Sequence, residues 1–87
     1  PQYLLHLGYI YYKIDKREEA EKILLNLVNK YPDYIDARFY LAMNYLENRD
    51  KENAKQHFTY IVENANSNNN YFQWAEKELK KLGGGTQ

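Results

Sequence analysis

The sequence contains no cysteine, which excludes disulfide bonds and thiolate metal sites. It also has no excess of either charge, because twelve Lys and Arg residues balance twelve Asp and Glu residues. Proteins that bind nucleic acid usually carry a basic excess that displaces phosphate counterions, so we expect no nucleic-acid partner. No apolar run approaches the roughly 20 residues that span a bilayer, so we expect no direct membrane insertion. None of these features identifies a compartment.

What the sequence has in abundance is tyrosine, with ten Tyr among 87 residues. A Tyr ring buries a large apolar area while its hydroxyl group tolerates a wet edge. A chain of this length forms one small domain that buries a modest share of its surface. The composition therefore indicates a thin, two-layer structure with little deep interior.

The two halves of the chain repeat each other with a period of 34 residues. One register aligns both halves without a gap, and the matched pairs fall mainly at apolar or small positions. They are Leu7 and Leu41, Gly8 and Ala42, Tyr11 and Tyr45, Ala20 and Ala54, Leu24 and Phe58, Leu27 and Ile61, and Val28 and Val62. Packing would constrain such positions, so the pattern predicts two copies of one structural unit.

Each unit has the pattern of two helices joined by a short turn. In the first unit Leu4, Leu7, Tyr11 and Ile14 recur at spacings of three and four, which is a helical stripe. Asp15 follows this stripe and is predicted to be the N-cap of the second helix.

A proline, a polar loop and a glycine mark the remaining boundaries. Pro32 ends the first unit, because the residue before a proline is disfavoured in helical geometry. A polar loop at 64–70 ends the second unit, and a closing helix is predicted from about Tyr71 to Leu82, with Gly83 as its cap. We therefore expect a first repeat at 1–34, a second repeat at 35–68, a capping helix at 69–82 and a flexible tail at 83–87.

These residues resemble the tetratricopeptide repeat family, whose unit has Leu-Gly and Tyr in its first helix and Ala and Pro in its second. The first unit here supplies Leu7, Gly8, Tyr11, Ala20 and Pro32 at the corresponding positions. The resemblance covers about residues 1 to 68. It implies an all-α fold, namely a right-handed α-solenoid of antiparallel helix pairs with five helices.

Two positions of the second unit depart from the family pattern. Arg38 stands where a large residue is expected, and Asn66 stands where the family has proline. Gly8 and Ala42 keep the small side chains that let paired helices approach closely. The departures weaken the second unit as a copy but leave the prediction of two stacked repeats unchanged.

The resemblance implies a concave face lined by the first helix of each unit and by the closing helix. Residues on those helices that are not used for stacking are predicted to line a groove for a partner. They are Leu5, His6, Tyr9, Tyr12, Lys13, Phe39, Tyr40, Met43 and Trp74. Aromatic residues and Met are enriched at protein-binding hot spots, so we expect a protein or peptide ligand, as an amphipathic helix or an extended apolar segment. For any single ring, packing is nevertheless the commoner role.

One subclass of the family grips the C-terminal carboxylate of chaperones through Lys, Asn and Arg side chains on its first helices. The matching positions in this chain carry no cation. They are Leu5, Tyr9, Tyr40, Asn70 and Trp74. We therefore do not expect this chain to bind a chaperone tail.

Catalysis finds little support in the sequence. His6 and His57 fall on different helices, and Ser67, the only serine, lies in the polar loop with no base near it. The acidic residues alternate with Lys and Arg at helical spacing, as on solvated helix faces. We expect no enzyme activity, no cofactor and no metal site, since convergent ligands cannot be assembled from these spacings.

Self-assembly and RNA recognition are the two alternatives to a peptide-binding scaffold. The first helix has no polar cap before it, although terminal repeats need a polar outer face. The chain also begins at Pro1 rather than Met, so we expect a processed protein or a piece of a longer array with a role in self-assembly or structural spacing. Self-association through the uncapped N-terminal end is one form of that role. Recognition of RNA, as in related helical repeats, needs an electropositive face and is not expected.

Overall fold

The computed structural model describes residues 2–84 and, within that range, the chain is helical apart from short turns. The helices are α1 (Gln2–Lys13), α2 (Arg17–Lys30), α3 (Ile35–Glu47), α4 (Lys51–Asn64) and α5 (Asn70–Leu79), followed by a wider π-helical turn at Lys80–Gly84. The prediction of an all-α fold with five helices is confirmed for these residues. Of the tail predicted at 83–87, positions 85–87 lie outside the described residues.

Neighbouring helices in the chain are neighbours in space. α1 packs on α2 and α3 on α4 within the repeats, while α2 packs on α3 and α4 on α5 between them. In addition α1 contacts α3, and α3 contacts α5. The first helix of each repeat and the closing helix therefore lie side by side on one face of the molecule, which is where a groove was predicted.

The turns within the two repeats share one unusual backbone conformation. Asp15 and Arg49, which are 34 positions apart, have φ angles of 65° and 64°. The prediction of Asp15 as the N-cap of α2 is wrong, because Asp15 adopts a left-handed conformation that Asp tolerates at helix ends and turns. The residue at the cap position is Lys16, and no side chain caps that helix. In the second repeat Asp50 occupies the cap position and accepts a hydrogen bond from the backbone N–H of Asn53.

Small residues let the paired helices of each repeat approach closely. Ala20 and Ala42 are fully buried, as are the large side chains of Leu24 and Phe58. At Gly8, an added Cβ atom would lie only 2.7 Å from Cδ2 and 2.8 Å from Cγ of Leu24. Because Leu24 is fully buried, an alanine at this crossing would force Leu24 or the paired helices to shift.

The two departures from the family pattern are accommodated by polar side chains. The Arg38 guanidinium group lies over the ring of Tyr60, 3.5 Å from its centroid, and its Nε donates to the carbonyl oxygen of Pro32 at 2.7 Å. This flat cation covers the aromatic surface as a large apolar residue would. The Asn66 side chain accepts a hydrogen bond from the backbone N–H of Asn68 at 2.9 Å, which forms a local turn in place of the proline.

Helix α5 covers the end of the second repeat. Asn69 caps this helix by accepting a hydrogen bond from the backbone N–H of Tyr71 at 2.7 Å. Ala75 of this helix is fully buried, and Leu82, which follows the helix, packs against the core. Gly83 follows with a φ of 96°, a conformation that glycine adopts without steric cost and that commonly terminates helices.

Candidate functional site

Aromatic rings from α1, α3 and α5 form a continuous chain of contacts across the shared face. The ring centroids of Tyr9 and Tyr40 are 5.0 Å apart, those of Tyr40 and Tyr71 are 5.9 Å apart, and those of Tyr71 and Trp74 are 5.4 Å apart. Tyr12 extends the chain, with its centroid 6.5 Å from those of both Tyr9 and Tyr40. We call the surface formed by Tyr9, Tyr12, Tyr40, Tyr71 and Trp74 the tyrosine groove.

The hydroxyl groups of Tyr40 and Tyr71 join the middle of the groove. Their oxygen atoms are 3.2 Å apart, so one hydroxyl donates to the other, and the nearby Asp36 carboxylate can accept the remaining proton. Burial, this hydrogen bond to Tyr40 and the nearby Asp36 carboxylate raise the pKa of Tyr71 well above its usual range. The hydroxyl of Tyr71 is therefore neutral at any physiological pH.

Eight of the nine residues predicted to line the groove are at least partly exposed. Tyr9, Tyr12, Tyr40, Leu5 and Met43 are half-buried, whereas His6 and Lys13 are exposed and Trp74 keeps 47% of its surface exposed.

Phe39 departs from the expectation, because its side chain is only 9% exposed and belongs to the core. Its ring centroid lies 5.9 Å from that of Phe58 and 5.8 Å from that of Trp74. The Phe39 ring therefore supports the groove from beneath and offers little surface to a ligand.

Tyr71 was not among the predicted groove residues, although it links α3 to α5. It precedes Trp74 by three positions on α5, and residues at this spacing share one helix face. That spacing is the signal that could have placed Tyr71 in the groove beside the predicted Trp74.

The groove has an aromatic depression beside Tyr9, Tyr40 and Tyr71 and a charged rim beside Tyr12. The depression measures about 330 Å³ and is lined by Gln2, Leu5, His6, Tyr9, Tyr40 and Tyr71. At the charged rim the Lys13 ammonium group lies 6.0 Å from the centroid of Tyr9. Burial raises the pKa of Tyr12, with further contributions from the carboxylates of Glu47 and Glu78. Both acidic groups therefore act on the groove at the Tyr12 end.

A larger depression, of about 490 Å³, lies at the loop between the repeats. It is lined by five consecutive residues, from Lys30 to Tyr34. One loop forms all of this surface, whereas three helices bring side chains together in the tyrosine groove. Binding sites usually combine apolar surface with convergent polar groups, so we favour the groove over the loop.

The second histidine belongs to a structural network within the second repeat, which Tyr45 links to the first repeat. The ring of His57 stacks on that of Tyr45, with centroids 5.8 Å apart, and its Nδ1 lies 3.2 Å from a terminal guanidinium nitrogen of Arg38. Burial and the Arg38 charge lower the pKa of His57 to about 4. The Tyr45 hydroxyl donates to a Glu21 carboxylate oxygen at 3.1 Å, and burial together with Glu21 raises the pKa of Tyr45 to about 12.

No cluster of three His, Asp or Glu side chains suited to holding a metal ion occurs among residues 2–84. Over the same stretch, no helix combines the length and the apolar character that a bilayer crossing requires.

Comparison with known protein families gives two matches along the chain. The family model described as tetratricopeptide repeat matches residues 2–34 and again residues 36–67. No curated protein and no solved structure matches the chain significantly. The two matched segments coincide with the helix pairs α1–α2 and α3–α4, and together they cover most of the sequence. This chain therefore belongs to the tetratricopeptide repeat family.

Proposed function

We propose that this chain is a protein-interaction scaffold whose tyrosine groove binds a helix or an extended segment of a partner. Tetratricopeptide repeats in general mediate contacts between proteins and form non-catalytic scaffolds. The groove placement rests on one observation, the unbroken series of ring contacts from Tyr12 to Trp74 across three helices. Rigid aromatic side chains that are already held in place lose little entropy when a ligand covers them.

The experiment begins with a displayed peptide library selected on the intact chain. Affinities of the selected peptides are then measured by fluorescence of Trp74, the only tryptophan, which lies in the groove itself. Tyr9→Ala should weaken binding about tenfold, as expected for loss of one hot-spot ring. Tyr31→Ala is the matched control, because Tyr31 is 45% exposed but lies on the loop between the repeats.

The result also depends on the fold of each variant, which circular dichroism checks. Tyr40→Ala serves as a second groove variant and should weaken the same peptides. Unchanged affinity in both folded groove variants, or an equal loss of affinity in Tyr31→Ala, would show that the partner does not bind in the tyrosine groove.

We propose no catalytic role. His57 is held by Tyr45 and Arg38 in the packing of α3 against α4, and its lowered pKa keeps it neutral at pH 7. His6 lines the aromatic depression, and the loop serine Ser67 is not among the residues that line it. Groups that act together in acid–base or nucleophilic catalysis must lie within hydrogen-bond reach of one another.

Self-association through α1 is a second candidate, favoured by an apolar surface on its outer side. Tyr3 is 76% exposed, Ile10 is 40% exposed and Ile14 is 55% exposed. The residues 34 positions later than Tyr3 and Ile10 are Ala37 and Asn44, which are 0% and 2% exposed. The face of α1 that corresponds to this buried face of α3 is therefore exposed. A second copy of the chain would cover it.

Sedimentation of the chain over a range of concentrations tests this candidate. A dimer should form as the concentration rises, and Ile14→Glu should abolish it by placing a charge in an apolar interface. Tyr31→Ala is again the control, since it removes an exposed ring elsewhere. A monomer at every concentration would rule the candidate out.

A further inference from the structure

The tyrosine groove presents several hydrogen-bond donors. The hydroxyls of Tyr9 and Tyr12, which can also accept, and the indole N–H of Trp74 can all donate. A ligand that covers these groups must offer them acceptors, because a buried donor without a partner is costly.

An α-helix meets this demand poorly. Its backbone carbonyls already accept hydrogen bonds within the helix, so an apolar helix face presents nothing to the hydroxyls beneath it. A polyproline II segment is the opposite case, because its carbonyls point outward and make no internal hydrogen bonds. Its prolines also lack backbone N–H groups, so a lining rich in donors leaves no ligand donor unsatisfied.

The shape of the groove agrees with the same ligand. Packed helix axes lie about 8–10 Å apart, so the distance across α1, α3 and α5 is roughly 20 Å. A polyproline II segment rises about 3.1 Å per residue and crosses that distance in about six or seven residues. The aromatic chain runs across the three helices in this direction, from Tyr12 on α1 through Tyr40 to Trp74 on α5.

The charges at one end suggest what flanks the prolines. Glu47 and Glu78 both act on the Tyr12 hydroxyl, and Glu47 is exposed on the rim of the small cavity beside Tyr12. Lys81 is 3.8 Å from Glu78 and Arg17 is 3.6 Å from Asp15, whereas within residues 2–84 no cation lies within 4.0 Å of Glu47, even though Lys13 lines the same cavity. A basic residue at the end of the ligand would pair with Glu47.

We infer that the ligand of the tyrosine groove is a proline-rich segment in the polyproline II conformation with a flanking Lys or Arg. This inference rests on the proposed groove function and specifies its ligand. The ligand is preorganised, so it binds without the ordering cost that a flexible peptide incurs. A proline-rich ligand uses the hydroxyl groups of the groove, whereas an apolar helix face would leave them without a partner.

Three synthetic peptides test the inference against Trp74 fluorescence: decaproline with a terminal Arg, decaproline without it, and an amphipathic helix rich in Ala and Leu. The Arg-flanked decaproline should bind most tightly. Tyr12→Phe, which keeps the ring and removes only the hydroxyl, should weaken its binding about fivefold, as for loss of one neutral hydrogen bond. Tyr3→Phe is the matched control on the outer side of the same helix. Glu47→Gln should remove the advantage that the terminal Arg confers.

The outcomes separate this inference from the groove proposal. If the helical peptide binds and loses affinity in Tyr9→Ala while decaproline does not bind, the groove function stands and the proline-rich ligand is wrong. If decaproline binds but Tyr12→Phe binds it as tightly as the wild type, donation from the groove is wrong and the inference falls. If neither peptide binds, the inference is also overturned, and the library selection alone then decides whether the groove binds any ligand.

Discussion

The two repeats have equivalent helices and turns but differ in what surrounds them. Within residues 2–84, repeat 2 packs on α2 at one side and on α5 at the other, whereas the main contacts of repeat 1 are with repeat 2. The composition follows this difference. Repeat 1 has Leu5, Ile10 and Ile23 at positions where repeat 2 has Phe39, Asn44 and His57.

Asn44 shows how a covered position can become polar. Its side chain is 2% exposed and its Nδ2 donates to the backbone carbonyl of Arg17 at 3.0 Å, which ties the second repeat to the first. The equivalent Ile10 is 40% exposed. A repeat position therefore acquires its role from the neighbour against which it is packed.

The largest expected difference between the repeats concerns Phe39 and its counterpart Leu5. Phe39 is 9% exposed and contacts the rings of Phe58 and Trp74, so Phe39→Ala should cost about 3–5 kcal/mol of unfolding free energy. Leu5 is half-buried, and Leu5→Ala should cost nearer about 1 kcal/mol. Urea denaturation followed by circular dichroism measures both values. Equal costs would show that the second repeat has no larger core than the first.

Gly8→Ala should change the unfolding free energy less than Phe39→Ala does. The sign of its effect should depend on whether Leu24 is present. Gly8→Ala adds a Cβ atom 2.7 Å from Leu24 Cδ2, and overpacking of this kind costs about 1–3 kcal/mol. Alanine also favours the helix by about 1 kcal/mol over glycine, so the net loss should be about 1 kcal/mol. In a Leu24→Ala background the clash disappears, and the same change at Gly8 should stabilise the protein. A double-mutant cycle in urea measures this coupling, and additive effects would contradict it.

Gly8 and Phe39 also illustrate which features of the structure the sequence could and could not predict. The fold followed from small and apolar residues at a strict period, because Gly8 and Ala20 are required by close helix packing whatever surrounds the repeat. The same periodicity predicts a groove on α1, α3 and α5, the helices that share one face of the molecule. Phe39 and Tyr40 are adjacent in sequence, however, and only the packing of α5 decides which ring turns into the core.

Local electrostatic and backbone details were harder to predict. Asp is favoured both at N-caps and in left-handed turn positions, so its presence at position 15 did not distinguish the two roles. The 34-residue period would have helped, because Asp50 aligns with Lys16 and Asp15 aligns with Arg49. The stacking of Arg38 on Tyr60 could not be predicted, since it depends on the approach of α3 to α4.

The pH dependence of stability should also differ between the repeats, because His57 has the non-titrating Ile23 as its counterpart. The pKa of His57 is lowered from 6.5 to about 4 by burial and by Arg38, so below pH 6.5 the unfolded chain binds more protons than the folded one. This contribution to stability is complete above about pH 6.5 and is lost as the pH falls toward 4. Partial solvation of His57 limits the loss to about 1 kcal/mol.

His57→Ile transfers the residue of repeat 1 to repeat 2 and removes this titration. The variant loses the contact with Arg38, so the informative quantity is the change in its unfolding free energy between pH 7 and pH 4.5. That change should be smaller in the variant than in the wild type. Tyr45, Arg38 and Glu21 are unaltered, so carboxylate titration elsewhere affects both proteins alike. An identical pH profile in the two proteins would exclude His57 as the source.

The smallest expected difference concerns the caps of the second helix in each repeat. Asp50 accepts hydrogen bonds from the backbone and the side chain of Asn53, and Asp50→Ala should cost about 1 kcal/mol. Lys16 occupies the equivalent position without a capping bond, so Lys16→Asn should instead add about 0.5–1 kcal/mol. Asparagine is chosen because Glu18 and Glu19 follow closely, and a further carboxylate would repel them. Urea denaturation measures both changes. If Lys16→Asn does not raise the unfolding free energy, the left-handed Asp15 holds the turn in a geometry that a side-chain cap cannot use.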